Sequence, residues 1–244
     1  MNPMLHTDRS AAGHCPAGFE QVERCERAFY EGYLVEGMLV FDVGANVGLL
    51  TALFAERVGR RGSVHAFEPG GKAFARLASR LGPGEGHNVR LQRSALADRT
   101  GSATLHVYDD DHLTWNTFAD RPLHEYGIDV SPVGRERVEV TTIDEYCADR
   151  GVSHIDLLKI DVEGAELQVL LGARGMLQDK RVGCCVFEFG QTTLDMGNEP
   201  ARIEAFLDRV GYDLRNLIAG DPVFPTLPGK GTPAYSMHLA EPRP

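Results

Sequence analysis

The stretch Leu39-Val40-Phe41-Asp42-Val43-Gly44-Ala45-Asn46-Val47-Gly48-Leu49-Leu50 constrains the fold more than any other. Its first half is an apolar run rich in β-branched and aromatic residues, as a buried strand over 38–43 requires. Gly44 and Gly48 then punctuate the chain. Leu50, Leu53, Phe54 and Val58 recur at helical spacing, with Glu56 and Arg57 left for the outer face, so a helix is expected over about 46–58. A strand, a glycine turn and a helix in succession open a nucleotide-type site. Gly44 permits a tight turn with positive φ, and the helix N-terminus is expected to offer unpaired N–H groups to an anion. Asp42 complicates that picture. A phosphate gains nothing from a carboxylate two residues before the turn, whereas a ligand carrying an ammonium group does.

At 244 residues the chain fits one α/β domain with appendages. A tail and a short amphipathic helix (Val22, Cys25, Ala28, Phe29) are expected over 1–36, and the domain proper over 37–244. A second strand and helix follow at 63–68 and 70–81, then a loop at 81–87 and a third strand at 88–95. These βα units imply parallel pairing with right-handed crossovers. Between about 96 and 137 the alternation breaks down, apart from a strand near 103–108. A connection this long is usually functional when ordered, so a substrate-facing role is expected for it. Strands at 138–142, 155–161 and 182–189 alternate with helices at 144–150, 165–171 and 199–210. Late strands at 212–217 and 234–240 flank a Pro/Gly-rich loop. No internal repeat or separate second domain is evident.

The formal charge of −10 argues against a nucleic-acid partner. No apolar run approaches the length of a membrane span, and Met1 to Ala17 has neither the basic nor the apolar region of a signal peptide. A cytoplasmic protein with no membrane partner is expected. The five cysteines are odd in number and contain no C-x-x-C. Buried free thiols are therefore expected rather than a disulfide framework or zinc knuckle.

In open parallel sheets ligands bind beyond the carboxyl ends of the strands. That rule selects Asp42, Glu68, Ser94-Ala95, Asp161 and Glu188. Glu68 follows Gly48 by about the 20 residues at which a carboxylate meets the hydroxyls of a ribose. The chain lacks G-x-G-x-x-G and reads Gly44-Ala45-Asn46-Val47-Gly48, with an acid upstream and no diphosphate cradle. The inferred ligand has a ribose and an amino group but no pyrophosphate. S-adenosylmethionine meets those demands.

Four blocks carry a resemblance: Asp42 to Gly48, Phe67-Glu68-Pro69, Ser94-Ala95-Leu96-Ala97-Asp98, and Lys159-Ile160-Asp161-Val162-Glu163-Gly164-Ala165-Glu166. In this order they resemble the FkbM family of methyltransferases, from about Gly37 to Phe189. The first block marks class I methyltransferases at large; the last is more specific. The resemblance implies a Rossmann-like α/β fold with helices on both faces of a seven-stranded, mostly parallel sheet in the order 3-2-1-4-5-7-6, the last strand antiparallel. It also implies methyl transfer from S-adenosylmethionine, usually to a hydroxyl of a sugar or secondary metabolite. By position, Asp42, Gly44 and Asn46 would hold the methionine end and Glu68 the ribose. Ser94 and Ala95 would border the adenine, with Asp98 nearby. Ala45, Gly48 and Pro69 join the cofactor-binding set, and Asp161 would lie beside the sulfonium and acceptor.

An alcohol is a poor nucleophile near neutral pH, so a base or a metal should assist. The catalytic candidates are Asp161, Lys159, Glu163, Glu188 and His112. Lys159 and Asp161, two apart on one strand, share a face; a depressed lysine pKa would suit base work, while an ion pair is the plainer outcome and is favoured. Glu163 and Glu166 are read as opening a helix, where acids are favourable in any case. His112 belongs to the long insertion. Asp161 and Glu188 end neighbouring strands and could bind Mg²⁺ through oxygen. Related metal-using enzymes commonly carry an amide beside the second acid, and here Phe189 stands there, which favours metal-independent chemistry. Trp115 either walls the acceptor or anchors the insertion. Two other functions compete: an NAD-dependent oxidoreductase, since Glu68 suits that cofactor too, and a non-catalytic module retaining the cofactor fold.

Overall fold

Short apolar runs bounded by glycine or polar turns become the strands, and amphipathic runs between them become helices. The computed structural model describes residues 17–81 and 87–244. In chain order its elements are α1 (Phe19–Tyr33), β1 (Leu39–Val43), α2 (Leu49–Val58), β2 (Ser63–Phe67), α3 (Gly71–Arg80), β3 (Val89–Gln92), β4 (Ala95–Leu96) and β5 (Gly101–Val107). Two 3₁₀ turns follow, at Leu113–Trp115 and Leu123–Tyr126. Then come β6 (Gly134–Thr141), α4 (Ile143–Arg150), β7 (Ile155–Ile160), α5 (Glu166–Gly172), α6 (Arg174–Gln178) and β8 (Val182–Phe189). The chain closes with α7 (Gln191–Asp195), α8 (Pro200–Arg209), β9 (Tyr212–Asn216) and β10 (Ser236–Pro242).

Seven strands form one sheet in the order β3-β2-β1-β7-β8-β10-β9. Only β10 runs antiparallel to its neighbours. Counting the strands of this sheet alone, the order is the 3-2-1-4-5-7-6 that the resemblance implied. Because side chains alternate along a strand, each strand feeds two cores. Val40, Leu157 and Val186 meet Tyr30 of α1 and Phe54 and Val58 of α2 on one face. Phe41, Leu158 and Phe187 meet Ile143, Leu170 and Leu207 on the other. Each such buried side chain contributes about 1.5–3 kcal/mol, enough to hold the ends of β1, β7 and β8 rigid beneath the site.

The expected third strand over 88–95 divides. Val89–Gln92 stays in the main sheet, whereas Ala95 and Leu96 pair with β6 in a separate sheet of order β4-β6-β5. The strand expected at 138–142 begins at Gly134, because β5 pairs with it residue for residue from Gly134 to Val140. Its Arg135, Glu136 and Arg137 are polar on both faces, so no alternation announced them. The helix expected from residue 46 begins at Leu49, since Asn46 and Gly48 take left-handed φ of +47° and +83°. Cys25, Cys147, Cys184 and Cys185 are free thiols, the last three buried, as expected. The tail over 1–16, Cys15 and loop residues 82–86 lie outside the described residues. No helix among those described is long and apolar enough to cross a membrane.

Candidate active site

The turn after β1 is shaped by close approach. Gly44 has φ +77°, and a Cβ there would stand 1.7 Å from the backbone oxygen of Asp161. Only glycine lets β1 and β7 come this near. Four of the turn's N–H groups are taken up in closing it. Gly44 and Ala45 donate to the Phe67 carbonyl, Gly48 donates to Ala45, and Asn46 donates to Glu68 Oε2 at 2.9 Å.

Asp42 also differs from expectation. It is fully buried and in register with Lys159 on the neighbouring strand. Lys159 Nζ lies 3.1 Å from Asp42 Oδ1, and Thr51 Oγ1 of α2 donates to Oδ2 at 2.6 Å. The ammonium that a carboxylate at this position demands is thus supplied by the chain itself, and Asp42 is not among the residues that line the crevice above it. Lys159 also donates to the Gly44 carbonyl at 2.9 Å and stands 3.7 Å from Asp161 Oδ2. Burial alone would lower the Lys159 pKa, but Asp42, Asp161 and Glu26 more than offset it, and the pKa is raised. That direction speaks against a base role for Lys159, and the ion pair with Asp42 is what the structure shows.

A crevice opens above this pair at the carboxyl ends of the strands. On the β2 side it is lined by Glu68, Pro69, Ser94 and Ala95, and on the β7 side by Gly44, Asn46, Asp161 and Glu163. Ala45 and Gly48 lie outside it. Gly48 instead lets α2 approach α3, since a Cβ would fall 2.5 Å from Leu77. Asp98 is turned to an ion pair with Arg99. Glu68 is held at both oxygens, by Asn46 N–H and by Gly70 N–H at 2.8 Å. Each carboxylate oxygen has a further lone pair, so two vicinal hydroxyls can still be accepted. Burial pushes the Glu68 carboxyl up to about 7, against those two backbone donors. Among the described residues no lysine, arginine or histidine lines the crevice.

The remaining acids separate by role. Glu163 does not open α5 as expected; it precedes the helix with φ +53°, its carbonyl accepting from Thr117 Oγ1 at 2.6 Å. Glu166 does begin α5, but it is fully buried and accepts from Gly164 N–H, Val162 N–H and Thr193 Oγ1. That makes it a brace for the loop. Glu188 is buried beside Asp161 and Glu163. Burial, then the neighbouring acids, raises the pKa of both Glu163 and Glu188. His112 hydrogen-bonds Asp109 at 2.7 Å, packs 4.7 Å from Trp115 and does not line the crevice. Trp115 is the anchor rather than the wall, with Arg121 over its ring and Tyr108 at its edge. The insertion's Leu113, Thr114, Asn116 and Phe118 do face the crevice. Sequence reasoning missed them, along with Thr51 and Glu26. The only signal for Glu26 was its i,i+4 spacing to Tyr30, whose hydroxyl it accepts at 2.7 Å.

A sequence profile described as the methyltransferase FkbM domain matches residues 42–214, which hold Asp42, Glu68, Asp161 and Glu188. The chain belongs to the FkbM methyltransferase family. One relative, the 2-O-methyltransferase NoeI of Sinorhizobium fredii, is 30% identical over 177 residues, covering 70% of each chain. A second, the 31-O-demethyl-FK506 methyltransferase FkbM of Streptomyces tacrolimicus, is 34% identical over 158 residues, covering 56% of this chain and 59% of that one. Among solved structures, one described as an rRNA methylase of Clostridium thermocellum superposes with TM-score 0.51 at 13% identity, covering 90% of this chain and 94% of that one. One described as a methyltransferase of Streptococcus mutans, in complex with SAH, gives TM-score 0.50 at 11% identity, covering 90% and 97%. At those identities the structures speak for the fold alone, and it is the class I methyltransferase fold. FkbM-family membership and this fold make the chain an S-adenosylmethionine-dependent methyltransferase.

Proposed function

We propose that this FkbM-family enzyme transfers the methyl group of S-adenosylmethionine to a hydroxyl of a small metabolite, such as a sugar or a polyketide-type product. The observation that carries the cofactor assignment is the charge of the crevice, with carboxylates on both sides and no basic side chain between. A methyl donor bearing a sulfonium and an ammonium is matched to that lining; the pyrophosphate of NAD is repelled by it. The two O-methyltransferase relatives support oxygen as the acceptor atom.

When bound, the cofactor supplies an electrophilic methyl group on a sulfonium. Glu68 accepts the ribose hydroxyls, and its own N–H partners keep it aimed. With Asp42 paired to Lys159, the ammonium end falls to Asp161 and the carbonyls around Gly44. Asp161 and Glu163 face the acceptor end. Bound there, the cofactor would supply methyl transfer to the acceptor oxygen with loss of its carbon–sulfur bond, and Asp161 or Glu163 would take the hydroxyl proton. Holding oxygen and methyl in line, about 3–3.5 Å apart at the start, supplies much of the rate.

Incubating the protein with labelled S-adenosylmethionine and a panel of hydroxylated metabolites tests this; label appearing only on nitrogen or carbon acceptors, or NAD binding without any response to the methyl donor, would defeat it. Glu68→Ala is expected to weaken S-adenosylhomocysteine binding by about 1–3 kcal/mol in calorimetry, as for a lost charged hydrogen-bond partner. Unchanged affinity would remove Glu68 from the ribose. Asp161→Asn is expected to lower turnover far more than cofactor affinity, which steady-state rates set beside calorimetry will separate.

A further inference from the structure

We propose that Asp161, Glu163 and Glu188 form a divalent-cation site for a hard, oxygen-liganded ion such as Mg²⁺, Mn²⁺ or Ca²⁺. Each residue offers one carboxylate oxygen, and the three oxygens lie within 4.8 Å of one another. That matches the span between opposite ligands of one ion with bonds of about 2.4 Å. A donor set of oxygen alone, without cysteine or histidine, selects hard ions.

Acidic clusters are common on surfaces, and proximity by itself decides nothing. Glu188 decides here. It is only 7% exposed, its carboxylate points into the cluster, and among the described residues no hydrogen bond or ion pair reaches its side chain. A buried carboxylate without a partner is costly, and the nearby cations do not pair with Glu188. Lys159 sits 3.1 Å from Asp42 and 3.7 Å from Asp161, so it reaches one member of the cluster, and Arg121 sits 3.6 Å from Asp195. A bound cation is the partner that the geometry leaves to be filled. Glu163 is the ligand that the sequence concealed. Phe189 follows Glu188 where an amide was looked for, and the loop after β7 brings Glu163 in as the third oxygen donor. Because Asp161 and Glu163 also line the crevice, the ion would stand at its acceptor end and polarise an acceptor oxygen. That consequence rests on the methyl-transfer reading; the ion site itself does not.

The test is titration of Mn²⁺ into the purified protein, followed by its electron paramagnetic resonance signal, with Mg²⁺ and Ca²⁺ as competitors. S-adenosylhomocysteine binding is measured by calorimetry on the same samples. The expected result is saturable, competable Mn²⁺ binding in the wild type, weakened roughly ten-fold or more in Glu188→Gln and in Glu163→Gln. A cooperative urea-unfolding transition shows that a variant is folded, and if Glu188→Gln is not, Glu163→Gln decides. Wild-type protein with no saturable Mn²⁺ binding at millimolar concentrations, or folded variants that bind as tightly, overturns the site. Cofactor binding without Mn²⁺ binding leaves methyl transfer standing and removes the ion. Mn²⁺ binding without cofactor binding does the reverse.

Discussion

Gly44→Ala is expected to remove measurable S-adenosylhomocysteine binding and to cost about 2–5 kcal/mol of stability. Two costs add. A left-handed backbone carries about 1–2 kcal/mol for a residue with a Cβ, and overpacking about 1–3 kcal/mol. The second is unavoidable here, because the added carbon would lie 1.7 Å from the Asp161 carbonyl oxygen, a backbone atom with nowhere to rotate. Either β1 or the start of the β7–α5 loop must move, and both floor the crevice. Urea unfolding and calorimetry on the purified variant measure the two effects. A variant as stable as wild type and binding normally would show that the strands have slack at this crossing.

Lys159→Met is expected to cost about 3–5 kcal/mol in the same unfolding experiment, the penalty for stranding one half of a buried pair. Asp42 would keep the Thr51 hydrogen bond but lose the Lys159 counter-charge, at zero exposure. The control is the double variant Asp42→Asn/Lys159→Met, in which no charge is stranded. It should recover much of the loss, since replacing both partners of a buried pair is often nearly neutral. A double variant no better than the single one would mean that Lys159 acts chiefly through the Gly44 carbonyl and Asp161.

The parts of this fold that were legible are those fixed by neighbours in the chain. Strand, turn and helix around Gly44 could be read because the apolar run, the two glycines and the helical spacing of Leu50, Phe54 and Val58 lie within 20 residues. Glu68 was legible because its distance from the turn places it at the end of β2. What could not be read depends on which strands become neighbours. Asp42 looked like a ligand for a cation because Lys159 is remote in sequence, and only the adjacency of β1 and β7 puts the two in register. Both sit inside otherwise apolar strands, and that shared oddity, combined with the implied strand order, was the available clue. The β4-β6-β5 sheet was legible only in part because its strands are short or polar on both faces, and α7 spans five residues without an apolar stripe. Glu163 was misplaced for a related reason: the left-handed residue before α5 looks, in sequence, like the first turn of the helix.

The segment between β5 and β6 is tied to the rest of the molecule by side chains rather than by pairing into the large sheet. Asn46 Nδ2 reaches the Leu113 carbonyl, Thr117 reaches Glu163, Arg121 and Tyr126 reach Asp195, and Asp110 pairs with Lys72 and Arg76 of α3. Its flanking strands pair with each other, outside the large sheet. Residues can therefore be added or removed between Tyr108 and Val133 without sliding any strand that grips the methyl donor. On the proposed reading, such a cassette would give a lineage of enzymes freedom to trade one acceptor for another while inheriting the donor grip unaltered.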